Sequence, residues 1–366
     1  MGRKGSLGIF AVALLWVGLS VWCWVKPADD VSASERRKLA QLPILNRQTW
    51  ADGSFPSDVE SYTLDQFPLR DGFRSMKAVF GRRFLLLKDT NGIYLQDGFA
   101  TQIQYPLNES SVEHFSQRLE EIWRKYLRDS DCRIYLSLVP DKHYFLAAEG
   151  RYLALDYEAL FAQLQQRLQW AEYIDLSGVL NVDDDYRTDT HWRQERLLPA
   201  ADLICSRLGI PTASAQGLQT RALPVPFYGV YRGQAALPMP AETMYVLHND
   251  VIDDCRVFNY ETKAYTAIYD EAKLGSRDLY DIYLSGATAL LRIDNPAADT
   301  DRELIVFRDS FGSSMIPLLV HGYKTVTVVD TRYISPEILG DFLEFDDQDV
   351  LFLYSTILIN NSSAMK

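Results

Sequence analysis

Residues 303–314 read ELIVFRDSFGSS, an apolar run followed by a serine-containing turn and the beginning of a helical pattern. The run ELIVF is rich in residues that favour buried strands. A strand that turns sharply into a helix is typical of α/β proteins, in which that turn lies at the carboxyl edge of the sheet, where ligands bind. The stretch therefore predicts a buried strand over 303–307, a helix at about 312–320, and Ser310 at the ligand-binding edge.

The same alternation of strands and helices continues outward from this stretch. It indicates a mainly parallel sheet with helices on both faces. Between about 211 and 300 the sequence becomes tyrosine- and proline-rich, which predicts a β-rich insertion. The remaining elements predicted in this α/β domain, 106–366, are strands at 133–139, 173–176, 325–330 and 350–354 and helices at 109–128, 156–170, 193–208 and 335–343.

Two segments are predicted before residue 106. Residues 1–26 form a membrane anchor, and residues 27–105 form a linker and a helical segment that packs on the core. Ser34 is a plausible N-cap for a short helix in ERRKLAQ. Residues 57–88 have an amphipathic helical pattern that Phe67-Pro68 interrupts. Asn91-Gly92 predicts a turn before a strand in IYLQ.

The N-terminal segment from Gly5 to Val25 carries no charge and is about long enough to cross a bilayer as one helix. Arg3 and Lys4 precede it, so the positive-inside rule places the rest of the chain outside the cytoplasm. A cleaved signal peptide is the alternative. We favour an uncleaved anchor because Trp22 and Trp24 stand where small residues would favour cleavage.

Composition limits the classes of partner. The 366 residues contain 37 lysines and arginines against 49 aspartates and glutamates, a formal net charge of −12, which argues against nucleic acid. The four cysteines form no CxxC pair, so no disulfide framework is expected, although one bridge is possible. The run Asp183-Asp184-Asp185 lacks the spacing of a calcium loop, and we predict neither a metal site nor a cofactor.

Two segments carry residues that suggest catalysis. Ser310 alone could be a simple N-cap, but the segment TDTHW supplies a base at His191 and a carboxylate at Asp189, two residues earlier. A carboxylate at that spacing can fix the histidine tautomer and stabilise the imidazolium formed during proton transfer. We therefore predict that Ser310 is a nucleophile, His191 its general base and Asp189 the residue that orients His191.

The TDTHW and DSF segments resemble those of the DHHW family of bacterial cell-surface proteins and of the alginate O-acetylation proteins in the SGNH hydrolase-like superfamily. SERRKLAQLP, DQFPLRDGF, VPDKHY and VVDTRY extend the resemblance over most of the chain outside the anchor. It implies a three-layer SGNH-like α/β fold with Asp189, His191 and Ser310 as the triad. It also implies that the protein modifies a cell-surface polysaccharide beside a membrane-bound O-acyltransferase.

Further site residues are predicted around this triad. The amides of Ser310 and Gly312 are the obvious oxyanion donors. Arg332, just after TVTVVD, resembles a family position near the site, and Lys142 either contacts substrate or caps a strand end. Arg308 stands where the alginate group tends to have glycine, so the turn before Ser310 could differ.

The sequence leaves two functions open. The first is an O-acetyltransferase or O-acetylesterase that works through an acyl-enzyme. Whether a sugar hydroxyl or water accepts the acyl group depends on how well the site excludes water. The alternative is a non-catalytic glycan-binding or scaffold protein of a cell-envelope complex, which the aromatic-rich region 211–300 would suit.

Overall fold

A computed structural model describes residues 3–147 and 152–366, so residues 1 and 2 of the predicted anchor and the side chains of residues 3–7, Arg3 and Lys4 among them, lie outside the described part. The α-helices are α1 (Arg3–Val25), α2 (Arg47–Ala51), α3 (Ser54–Asp65), α4 (Arg70–Phe84), α5 (Glu109–Ile122), α6 (Lys142–Ala147), α7 (Tyr157–Arg167), α8 (Leu198–Leu208), α9 (Val230–Ala235), α10 (Asp250–Asp254), α11 (Gly312–Met315) and α12 (Thr356–Ile359). The strands are β1 (Val31–Ser32), β2 (Arg37–Lys38), β3 (Asp89–Thr90), β4 (Ile93–Gln96), β5 (Phe99–Gln102), β6 (Arg133–Val139), β7 (Glu172–Asp175), β8 (Gln219–Phe227), β9 (Glu242–His248), β10 (Arg256–Asn259), β11 (Ala264–Thr266), β12 (Leu290–Asp294), β13 (Glu303–Arg308), β14 (Thr325–Val329) and β15 (Asp349–Ser355).

The chain divides into two compact units. The first contains the residues up to Ile93 together with Val230–Met239, and the second contains Tyr94–Gly229 and Pro240–Lys366.

The second unit is built on one eight-stranded sheet with the order β11-β10-β12-β14-β13-β15-β6-β7. The strands β14, β13, β15, β6 and β7 run parallel, whereas β12, β10 and β11 extend the sheet in antiparallel fashion. The mainly parallel sheet expected from the sequence is thus confirmed. The three antiparallel strands come from the predicted insertion at about 211–300, so that part of the insertion completes the main sheet.

Both faces of the sheet are buried, which is why its strands read as continuous apolar runs rather than as alternating patterns. Every residue of β15 is buried. Along this strand Leu351 and Leu353 face one core cluster with α8, and Val350, Phe352 and Tyr354 face the other with α5 and α7. Helices therefore cover the sheet on each side, which is the three-layer arrangement expected.

The first unit contains α1, and the segment Gly8–Val25 is the one described helix long and apolar enough to cross a membrane, with a mean hydropathy of 2.1. The amphipathic segment predicted at 57–88 forms α3 and α4, separated at Phe67-Pro68 as expected.

The short helix predicted after Ser34 is wrong, because the chain forms the hairpin β1–β2 there. Arg36 adopts a left-handed φ of 53° in the turn. Glu35 pairs with Arg70 and Arg74, and Arg37 pairs with Asp65. These contacts with distant residues outweigh a local helix preference that is weak in so short a segment.

Candidate active site

Ser310 follows β13, which lies between β14 and β15 in the parallel part of the sheet. The turn that carries it is held by Asp309, whose Oδ1 accepts the Phe311 amide at 3.0 Å. The other carboxylate oxygen accepts the amide (2.8 Å) and the hydroxyl (2.5 Å) of Ser355 at the end of β15. The nucleophile candidate is therefore fixed to the neighbouring strand as well as to its own.

His191 lies on a loop closed by a backbone bridge between Asp185 and Trp192. Its Nδ1 is 2.6 Å from Asp189 Oδ1, and its Nε2 is 2.8 Å from Ser310 Oγ. Asp189 is fully buried and His191 is 6% exposed. The structure thus brings these three side chains together in one hydrogen-bonded chain.

This geometry determines which atoms can accept a proton. A carboxylate only accepts hydrogen bonds, so the 2.6 Å contact requires a proton on Nδ1 of His191. Nε2 is then the lone-pair nitrogen that faces the hydroxyl of Ser310. The arrangement can take the proton of Ser310 as its oxygen attacks a carbonyl carbon, and Asp189 can stabilise the imidazolium that results.

Tyr280 stacks on the His191 ring with 3.9 Å between centroids and 8° between planes. Its hydroxyl is 2.7 Å from Ser314 Oγ, which also accepts the Trp192 indole N–H at 2.8 Å. Trp192 is thereby bonded to α11, the helix that follows Ser310. Tyr280, which covers the His191 ring, is bonded to the same helix.

Lys142 is fully buried beneath the histidine loop. Its Nζ donates to the carbonyl oxygens of Ala100 (2.6 Å), Tyr186 (2.8 Å) and Asp189 (2.5 Å). Burial lowers the pKa of this ammonium to about 8, although Asp185 and Asp189 act in the opposite direction. The geometry places Lys142 as a support for the loop backbone; contact with substrate stays a prediction.

The same loop is held from the β9 side. The carboxylate of Glu242 accepts the amides of Arg187 and Thr188, each at 2.8 Å, and the Thr188 hydroxyl at 2.5 Å. Gly229 approaches so closely that a Cβ there would lie 2.1 Å from the Thr188 carbonyl carbon and 2.3 Å from the Asp189 nitrogen. Only glycine fits at this crossing.

The two predicted oxyanion donors differ in their surroundings. The Gly312 amide donates to the Asp309 carbonyl at 3.1 Å, so it is engaged in the turn. The Ser310 amide has no hydrogen-bond partner among residues 3–147 and 152–366. The structure therefore leaves Ser310 as the better placed of the two donors.

Arg332 pairs with Asp330 through Nε (2.8 Å) and Nη2 (2.6 Å). Within the described residues, no contact joins it to Ser310 or His191. Arg308, at the departure from the alginate pattern, is buried and donates to the Gly286 carbonyl, with its Nη1 3.4 Å from Asp330. These arginines share one buried carboxylate beside the site.

Within residues 3–147 and 152–366, no group of three or more histidine, cysteine, aspartate or glutamate side chains could hold a metal ion. In the acidic run, Asp184 Oδ2 accepts the backbone and side-chain amides of Asn181.

Tyr280 and Glu242 are site residues that the sequence alone does not indicate. Both lie in the tyrosine-rich region interpreted as an insertion, far along the chain from the residues they contact. No local motif marks them, since their role depends on tertiary packing alone.

The comparisons with known proteins agree with this fold. The model of the family described as DHHW protein matches residues 176–329, which contain Asp189, His191 and Ser310. No curated protein sequence matches the chain.

Similar solved structures include a DHHW family protein from Eubacterium siraeum, at 18% identity and a TM-score of 0.54, covering 75% of this chain and 94% of that one. Bacillus cereus PatB1 with a sulfonyl adduct is 16% identical with a TM-score of 0.55, covering 73% and 95%. The O-acetyltransferase domain of Pseudomonas putida AlgJ is 13% identical with a TM-score of 0.44, covering 74% and 92%. Residues 176–329 thus match the DHHW family, in a chain with an SGNH-like α/β fold, and the resemblance noted in the sequence is confirmed.

Proposed function

We propose that the protein is a serine O-acyltransferase or esterase that acts on a cell-surface polysaccharide. The observation that carries the proposal is the chain of contacts from Asp189 Oδ1 through His191 to Ser310 Oγ, at 2.6 Å and 2.8 Å. These three hydrogen-bonded side chains lie at the carboxyl ends of the parallel strands, where α/β folds bind ligands. The family resemblance supports acetyl as the acyl group and a glycan hydroxyl as its acceptor.

In the proposed reaction, Ser310 Oγ attacks the acyl carbonyl while His191 Nε2 takes its proton. The Ser310 amide stabilises the negative charge on the carbonyl oxygen. Collapse of the tetrahedral intermediate expels the donor's alcohol, which receives the proton from His191. A sugar hydroxyl or water then attacks the acyl-enzyme, with His191 again as base.

We also propose that α1 is a retained anchor and that the rest of the chain lies outside the cytoplasm. Gln66 supports retention because it contacts the end of α1. Its carbonyl accepts the Cys23 thiol at 3.9 Å, and its side-chain oxygen accepts Lys26 Nζ (3.4 Å) and the Asp29 amide (2.8 Å). Cleavage after α1 would remove the first of these contacts. From this location the protein would act beside a membrane-bound O-acyltransferase that supplies acyl groups.

Acyl transfer from an activated aryl acetate to the full-length protein in detergent tests the mechanism. Ser310→Ala should lower the rate by about a thousandfold or more, and His191→Ala by a similar factor. The double variant should be little worse than either one, since the two residues act as a unit. Ser206→Ala, on the exposed face of α8, is the control and should keep the wild-type rate.

A sulfonyl fluoride provides an independent readout, and the adduct recorded for Bacillus cereus PatB1 motivates it. Intact mass should show one sulfonyl group on the wild type and on Ser206→Ala, and none on Ser310→Ala. If folded Ser310→Ala keeps the wild-type esterase rate and labelling, the catalytic proposal fails and a glycan-binding role replaces it.

A further inference from the structure

The helix α4 and the turn after it carry an exposed apolar surface that the proposed catalysis does not use. We call the side chains of Phe73, Met76, Phe80, Phe84 and Leu86 the apolar ridge; they are between 42% and 78% exposed. Most of the large exposed apolar side chains that the structure describes outside α1 lie between residues 42 and 87, in the first unit. Such a concentration marks an interaction surface.

The ridge is a regular feature of the helix. Its helical members are spaced three, four and four residues apart, which places them on one side of α4. The other side is fixed within the first unit, since Ala78 and Gly81 are buried. Phe80 and Phe84 stack with centroids 5.0 Å apart, and Leu87 donates its amide to the Gly81 carbonyl at 3.1 Å, which closes the turn after the helix.

The beginning of α4 lies next to the end of α1. An open cavity of about 710 Å³ is lined by Trp22 and Lys26 from that end and by Pro68, Arg70 and Gly72 from the other side. The helix therefore starts at the level where the proposed anchor leaves the bilayer.

The charges on α4 indicate how it lies. From the first residue of α4 to Lys88 the chain has six basic residues and one acidic residue, Asp71, although the whole chain has a net charge of −12; the basic residues are Arg70, Arg74, Lys77, Arg82, Arg83 and Lys88. A helix of 15 residues is about 22 Å long, shorter than the roughly 30 Å core of a bilayer, and so many cations exclude it from that core. An apolar side flanked by basic residues is typical of helices that lie in the membrane interface.

We propose that the apolar ridge binds the outer surface of an anionic phospholipid bilayer beside α1. The ridge side chains enter the interface between headgroups and acyl chains, while Lys77 and Arg83, on the two flanks of the ridge, reach the lipid phosphates. This proposal rests on the location of the anchor given under the proposed function and not on the reaction.

Fluorescence quenching on the full-length protein in lipid nanodiscs tests the proposal. A nitrobenzoxadiazole label is attached at Met76→Cys on the ridge and, as the matched control, at Arg82→Cys on the far side of the same helix. Both are made with Cys23→Ala and Cys132→Ser, since Cys205 and Cys255 are buried. Nanodiscs contain phosphatidylcholine with or without 30 mol % phosphatidylglycerol, and doxyl lipids are the quencher.

The label at position 76 should be quenched several-fold more strongly than the label at position 82, and more strongly with phosphatidylglycerol. Adding Phe80→Asp should reduce the quenching at position 76 to the control level. Equal quenching at the two positions would overturn the proposal. So would quenching that needs a co-reconstituted O-acyltransferase, or quenching that rises with the protein-to-lipid ratio, which would indicate a protein partner or a second copy.

Two further readouts on the same samples separate this proposal from the earlier ones. Esterase activity in detergent reports on Ser310 and not on the ridge. Co-elution with nanodiscs reports on α1. Activity and co-elution without preferential quenching at position 76 would therefore reject the ridge alone.

Discussion

Tyr280 contacts the candidate base through two interactions that mutation can separate. Its ring stacks on His191, and its hydroxyl bonds to Ser314. Tyr280→Phe keeps the stack and should change kcat by only a few-fold, about the effect of one neutral hydrogen bond. Tyr280→Ala frees the imidazole and should lower kcat by about tenfold to a hundredfold, with little change in KM, because it misplaces the base.

Steady-state kinetics on an aryl acetate would measure both variants. The folded fraction, measured by circular dichroism on the same samples, distinguishes positioning from a general loss of stability, because a misplaced base lowers kcat per folded molecule. A rate loss in Tyr280→Ala that follows the folded fraction would contradict the positioning role.

Lys142 affects stability in a way that depends on pH. Lys142→Met removes the donor from three buried carbonyls, and each unsatisfied group costs about 1–3 kcal/mol. Because the pKa in the folded protein, about 8, is below that of an unfolded lysine, the unfolded chain binds the extra proton between these values. The wild type should therefore gain stability relative to Lys142→Met as pH rises from about 8 towards the ordinary lysine pKa.

Denaturant unfolding of the two proteins across this pH range checks the sign. A difference in unfolding free energy that stays flat or falls between these pKa values would show that Lys142 has no lowered pKa in the folded state.

Among the contacts of single residues at the site, spacing in the sequence predicts those between residues close together in the chain and not those between distant ones. Asp189 and His191 are two residues apart, so their pairing needs no long-range information. The supports from Lys142, Tyr280 and Glu242 depend on buried polar groups that meet only after folding, and propensities and spacing do not contain that information.

Among the elements, the crossing of the segment before α9 over the histidine loop is the tightest contact at the site. Gly229→Ala would place a methyl group 2.1 Å from the Thr188 carbonyl carbon, so the loop that carries Asp189 and His191 must move. A displacement of about 1 Å can cost on the order of a hundredfold in rate. We expect kcat to fall by that order while the fold remains.

Gly178→Ala is the matched control, because a Cβ at that glycine meets nothing within 4 Å. Aryl acetate hydrolysis and circular dichroism should show an active, folded control beside a folded but impaired Gly229→Ala. Equal activity of the two variants would contradict the importance of this crossing.

Elements are predicted from sequence most reliably when they are buried on both sides. Strand β6 occupies the predicted residues 133–139, and β15 is longer than VLFLY by one residue at each end, because an apolar run between helices has few alternatives in this fold. The short helix predicted in ERRKLAQ is wrong because ion pairs with α4 and Asp65 decide the conformation of the hairpin β1–β2. Those partners lie about 30 to 40 residues away.

For the whole molecule, the orientation in the membrane is open to a direct test. In a Cys23→Ala, Cys132→Ser background, Glu60→Cys on exposed α3 should react with a membrane-impermeant maleimide in intact cells. Gly2→Cys, before the uncharged segment, should react only after lysis. The reverse pattern, or reaction of both in intact cells, would contradict an anchor with its carboxyl end outside.

The stack of Tyr280 on His191 has a magnetic consequence. A ring lying 3.9 Å above another shields the protons of the ring beneath through its induced current. The carbon-bound protons of His191 should then resonate upfield of those of ordinary histidines in a spectrum of histidine-labelled protein, and Tyr280→Ala would identify the signal by abolishing the displacement. The chain thus contains its own reporter of active-site order, which can be followed without any substrate.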